Sequence, residues 1–258
     1  MRPLGHRGLL VPIVGGMALL AWAALWAWDR SPYARYINHA DICTLRVAEG
    51  WQISINEGLI YVAGWILMTI AMMLPTTLPL LEIFRRLTRT RGDRTRLIVL
   101  VIAGYLTAWL AFGIAAHAFD LALHDLFDRG AWLKASSWAF GAATLVLAGA
   151  FQFSRLKHRC LDKCRAPLSF VLQHWTGGDA AAQALRLGLH HGAYCVGCCW
   201  ALMLLMFAVG TGNLGWMVAL GAVMAVEKNV AWGRQLSTPL GVGLIAWGML
   251  IVLNHAAT

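Results

Sequence analysis

Three uninterrupted apolar runs, Leu9–Trp28, Leu59–Leu81 and Leu97–Phe119, constrain this chain more than any other feature. Each is about 20 residues or longer, enough to cross roughly 30 Å of hydrocarbon at about 1.5 Å per residue. Four shorter runs follow at Trp138–Phe153, Tyr194–Val209, Leu214–Val226 and Leu240–Leu253. Only 13% of the residues are charged and 59% are apolar, whereas soluble domains carry roughly 25% charge. The expected fold is therefore all-α, a single polytopic membrane domain over residues 1–258 with about seven transmembrane helices. The count falls to six if the short pair flanking Gly210–Asn213 is re-entrant. Arg2 and Arg7 precede the first run as they would in a secretory signal. The apolar stretch is too long for one, and Trp26 and Trp28 close it where small residues would mark cleavage.

Charge sets the orientation. Arg85, Arg86, Arg89, Arg91, Arg94 and Arg96 crowd one short loop, which the positive-inside rule places in the cytoplasm. Alternating the spans puts the amino terminus, the insert 154–191 and the 227–238 loop on that side, together with 16 of the 21 Lys and Arg residues. The segment 29–58, with His39, Asp41 and Cys43, is then an external loop. Topology accounts for the formal charge of +9, so nucleic acid is not expected as a partner. The lipid bilayer is, and a bacterial inner membrane suits so compact a multi-span chain.

Within the insert, Asp179 reads as the N-cap of a short helix over Ala180–Leu189. A second helix is expected to open at Tyr194, just after His190-His191-Gly192. This boundary holds the chemistry: Cys195, Cys198 and Cys199 fall in the new helix's first turns, where free N–H groups and the macrodipole favour a thiolate. Cys160 and Cys164 precede them in the insert. A reducing cytoplasm argues against a disulfide framework there, leaving metal ligation or redox work as the use of five clustered thiols. The candidate ligands are Cys195, Cys198, Cys199, Cys160 and Cys164, with His190 and His191 in support.

The pattern continues into the membrane. Cys195, Cys199, Met203 and Met206 share one helix face, and thioethers suit monovalent copper. Met68, Met72 and Met73 stand before Pro75, whose missing N–H loosens the second span. A thioether path through Met203 and Met72 is the extension of the site, against the plain alternative that methionine fills the core. Two weaker groupings are His117, Asp120 and His124 near the outer end of the third span, and Glu227 beside Lys228. The latter reads either as a functional acid or as a local ion pair at the membrane edge.

Met72-Met73-Leu74-Pro75, Lys157-His158-Arg159-Cys160-Leu161, His191–Trp200 and Glu227-Lys228 together resemble a bacterial domain-of-unknown-function family of predicted metal-binding integral membrane proteins. The resemblance covers about residues 55–258 and implies a bound metal without identifying it. Taken with the residue reading, the leading expectation is a membrane protein that binds and moves or delivers a soft metal, copper ahead of zinc. No P-loop is present, so exchange would run down a gradient or to another membrane or metal-carrier protein. The enzymatic alternative is a thiol–disulfide oxidoreductase built on Cys195 and Cys198; the third is an assembly subunit of a larger membrane complex.

Overall fold

The computed structural model describes residues 10–31, 55–128, 137–209 and 214–256. Among these the chain is helical, with no strand. Ten α-helices follow one another: α1 (Leu10–Asp29), α2 (Ile55–Met72), α3 (Leu78–Leu87), α4 (Arg94–Asp128), α5 (Ser137–Phe151), α6 (Arg155–Arg165), α7 (Pro167–His174), α8 (Ala180–Val209), α9 (Leu214–Asn229) and α10 (Ser237–Ala256). His39, Cys43 and Gly210–Asn213 lie outside the described residues.

Four helices are long and apolar enough to cross a membrane, and the number rises to six if two bent pairs each count as one span. The bends are 48° between α2 and the segment Leu74–Leu87, and 61° between α5 and α6. The first bend lies where Pro75 was expected to loosen the span. Pro75 cannot donate to the helix ladder, and the chain passes through a 3₁₀ turn at Leu74–Thr77 before α3. The Thr76 and Thr77 hydroxyls donate to the carbonyls of Met73 and Leu74 at 2.7 and 2.8 Å, so the break leaves these groups satisfied. The sixth expected span, α9, has 16 residues, about 24 Å at the helical rise and short of the hydrocarbon thickness.

Helix α4 packs along α8 in the most extensive contact of the fold. A Cβ at Gly188 would stand 2.0 Å from the Val101 carbonyl, and one at Gly104 2.2 Å from the Leu185 carbonyl. The two backbones touch, as small residues allow between membrane helices. Gly192 belongs to the same seam, since its added Cβ would meet Ala108 at 2.7 Å. This overturns the expected helix boundary: Gly192 does not separate two helices, and α8 runs unbroken for 30 residues from Ala180 to Val209. Its N-terminus was read correctly, for Asp179 Oδ1 accepts from the Ala181 N–H at 2.9 Å.

The polar insert folds back on the bundle. Ser154 caps α6 by accepting from the Lys157 N–H at 3.1 Å. Lys157, Cys160, Leu161 and Cys164 recur at helical spacing on the inward face, while Arg155, Arg159, Asp162 and Lys163 face out. Arg165 donates to the Glu227, Val230 and Ala231 carbonyls, clamping the C-terminal end of α9 to α6. Phe84 at the end of α3 meets Trp175 edge-on at 5.0 Å. The arginine-rich loop, the insert and the end of α9 therefore gather at one end of the bundle. In that loop Arg91 grips Asp93 at 2.8 and 2.9 Å, and this hydrogen-bonded pairing holds the Asp93 carboxyl below its usual range.

Candidate metal centre

With α8 continuous, Cys195 is the sixteenth residue of its helix, and the argument from an N-terminal dipole no longer applies. What surrounds the thiols comes instead from four other segments. Cys195, Cys198 and Cys199 are all buried to 2% exposure or less. Cys198 and Cys199 both donate to the Cys195 carbonyl, at 3.1 and 2.9 Å. These contacts turn the two thiols back along α8 toward Cys195.

Helix α6 covers them from the side. Cys164 faces the Cys198 thiol. Cys160 lies against Gly197, where an added Cβ would sit 2.7 Å from its Sγ. The glycine inside the Cys195–Cys199 motif is thus the room that lets α6 bring its cysteines to α8. All five described cysteines are free thiols.

Two residues that sequence reasoning did not assign to the cluster complete it. Lys228, from α9, is buried and places Nζ 2.9 Å from Cys195 Sγ, 3.8 Å from Cys199 Sγ and 3.6 Å from Met73 Sδ. Tyr105, from α4, sets its hydroxyl 3.0 Å from Cys195 Sγ and 3.3 Å from the Met73 carbonyl. The ammonium group is seated among three sulfur atoms in a site closed to solvent. Lys228 therefore makes no local pair with Glu227, as one sequence reading had it. Glu227 turns the other way and binds Lys157 Nζ at 2.6 Å, with Ser237 Oγ donating to the same carboxylate oxygen at 2.7 Å and Gln152 on the lysine.

The remaining candidates divide. Met203 and Met206 are buried on the same face of α8. Met72 is buried against Gly221 of α9, with 3.5 Å between Met72 and an added Cβ, while Met73 is the methionine that meets the polar cluster. The helix break before Pro75 produces that swap, because Met73 lies just beyond the end of α2. His191 is buried between Tyr105 and Phe170, at ring-centroid distances of 5.9 and 5.5 Å. His190 is exposed and stands beside His174, away from the thiols. His117 stacks on Tyr61 at 4.1 Å, and the side chains of Asp120 and His124 lie outside the described residues.

Among the described residues no three His, Cys, Asp or Glu side chains stand in a ready-made ligand arrangement. The donor set is nevertheless soft throughout: thiols from α6 and α8 and the Met73 thioether, around a point that already holds a cation. Residues 62–251 match the PpoB2 family, described as copper chaperone. The chain belongs to this copper chaperone family. The matched range takes in every residue of the cluster and leaves out α1. No curated protein and no solved structure matches the chain.

Proposed function

We propose that this chain is an integral membrane protein that binds monovalent copper as cargo in the Cys195–Cys198–Cys199–Cys164 cluster and passes it to an acceptor protein. The observation that carries the reading is the convergence of Cys195, Cys199 and Met73 on the buried ammonium of Lys228, with Cys198 and Cys164 beside them. Thiolate and thioether together suit Cu(I), whereas zinc sites draw on Cys, His and carboxylates. A pair of thiolates can hold Cu(I) in line, so no preformed cage of three ligands is required, and an open-sided pair releases its ion readily. A copper bis-thiolate carries one net negative charge. Lys228 offsets it, which a site this far from water needs. Cys160, against Gly197, and Met203, one turn beyond Cys199 on α8, are neighbours of the ligands, while Met72 packs against Gly221.

The same geometry weakens the oxidoreductase alternative. That reading rested on thiols at a helix N-terminus, and Cys195 and Cys198 lie midway along α8. The chain carries no nucleotide motif, so cargo would leave by ligand exchange with a partner.

The decisive experiment loads the full-length protein, purified in mild detergent, with Cu(I) under anaerobic reducing conditions. Cys195→Ser with Cys198→Ser is expected to remove the sulfur-ligated copper, because a serine hydroxyl stays protonated and cannot supply the anionic ligand. Unchanged copper content in that double variant would overturn the assignment. Cys43→Ser is the control and should retain its copper.

The proposed location is a bacterial inner membrane, with the arginine-rich loop and the insert on the cytoplasmic side. A membrane-impermeant thiol reagent added outside intact cells should therefore modify Cys43 alone. Labelling of Cys164, half-buried on α6, would reverse the orientation.

A further inference from the structure

A surface cavity of about 440 Å³ opens where α7 meets the start of α8, and two histidines line it. His174 closes α7 and His190 projects from α8, with ring centroids 5.1 Å apart and planes at 76°. His174 is held in place. Its Nδ1 lies 2.8 Å from the Phe170 carbonyl, which can only accept, so that nitrogen carries the proton. The ring also stacks on Phe170 at 4.3 Å. In the uncharged ring this tautomer leaves the Nε2 lone pair free. A backbone carbonyl on the other ring nitrogen is the usual second contact of a histidine that ligates metal. The turn that walls the cavity is equally fixed: Gly177 and Gly178 have φ of 94° and 115°. Gln183 ties the turn to α8 through the Thr176 N–H and the Gly177 carbonyl.

A second feature leads inward from this pair. His191 is 4% exposed, and its Nδ1 has no hydrogen-bond partner. A buried nitrogen left unpaired bears an uncompensated desolvation penalty, and such an atom calls for an explanation. Phe170, against which His174 stacks, also meets His191 at 5.5 Å, and His191 meets Tyr105 at 5.9 Å. Tyr105 is in turn hydrogen-bonded to Cys195. Along α8 itself, His190 precedes Cys195 by five residues, about 7.5 Å of helix axis.

We propose that His174 and His190 form a second Cu(I) site, open to solvent, from which the ion passes by way of His191 to Cys195 and Cys198. This rests on the copper reading above and adds its loading route. Imidazole nitrogen is an intermediate donor for copper, and thiolate is the softer one, so each exchange moves the ion toward tighter binding. Copper stays monovalent throughout. One nitrogen ligand is given up for each ligand gained, and the two thiol protons displaced as Cys195 and Cys198 become thiolates are released to solvent water. Arg186 and Asp179, which also line the cavity, place one charge of each sign at its rim, so the mouth does not repel a monovalent cation.

The test loads the full-length protein with Cu(I) alone and reads stoichiometry, loading rate and the ligand atoms by X-ray absorption. In the wild-type protein nitrogen and sulfur scattering are both expected at full occupancy. His174→Gln with His190→Gln should abolish the nitrogen-ligated ion and slow loading of the sulfur-ligated one at least about 10-fold. Both residues are away from the buried cluster, so the fold should persist. Cys195→Ser with Cys198→Ser should keep the nitrogen-ligated ion and lose the other. If the histidine variant matches wild type in stoichiometry, rate and nitrogen scattering while the cysteine variant loses its copper, the loading site is refuted and the chaperone reading stands. If wild-type protein takes up no copper, both fall.

Discussion

Lys157→Met is expected to destabilise the protein by about 3–5 kcal/mol, the cost of removing one partner from a buried ion pair. Lys157 is fully buried, and its Nζ is 2.6 Å from Glu227 Oε1. Methionine matches the length of the side chain but leaves the Glu227 carboxylate with Ser237 as its one remaining side-chain donor. The pair also has a position in the fold. It joins α6 to α9, with Gln152 just after α5 and Ser237 opening α10 drawn into the same network. Losing it frees the helix that carries Cys160 and Cys164 to the thiols. Thermal unfolding of the detergent-solubilised protein, followed by the fluorescence of its tryptophans, measures the effect. Converting Lys157 and Glu227 together to Met should cost much less than either change alone, since no charge is then stranded. A single variant as stable as the double one would show that the pair carries no such energy.

Gly188→Val should be the most damaging change at the α4–α8 seam. An added Cβ would lie 2.0 Å from the Val101 carbonyl and 3.0 Å from the Tyr105 backbone nitrogen, and backbone cannot swing aside as a flexible side chain would. Overpacking costs about 1–3 kcal/mol in ordinary cores and sometimes more. With backbone as the obstacle, about 3 kcal/mol or more is expected here. The helices must separate, which draws Tyr105 away from Cys195 and opens the thiol cluster along with the fold. Gly188→Ala should fall between valine and wild type. Gly243→Ala serves as the control, because an added Cβ there meets nothing within 4 Å. A Gly188→Val protein that melts with the Gly243→Ala protein and still binds copper would refute the close approach of α4 and α8.

Which residues share the site was legible in the sequence only where the reason was local. The apolar runs mark helices because an apolar stretch of that length can satisfy its backbone within itself as a helix. Pro75 marks a break because it lacks an N–H, and Asp179 marks a helix start because its carboxylate accepts from the free Ala181 N–H. The motif Cys195–Cys199 announces soft-metal chemistry from ligand type alone, and the family match agrees in naming copper. None of these statements needs a second helix.

Where a residue points across the bundle was not legible, and each misreading has that cause. His190-His191-Gly192 looks like a polar joint between two helices, yet it lies within α8 because Gly192 seats the backbone of α4 and His191 fits between aromatic rings. Lys228 looks paired with its neighbour Glu227. Adjacent residues on a helix face different directions, however, and one meets the thiols while the other meets Lys157. Met73, Tyr105, Cys164, Cys195 and Lys228 come from five different helices or turns. The sequence by itself therefore determined that the chain is helical, apolar in long blocks and rich in soft ligands at one place. Only the tertiary structure decided which side chains close around that place, because helix packing depends on the shapes of facing surfaces and not on spacing along one helix.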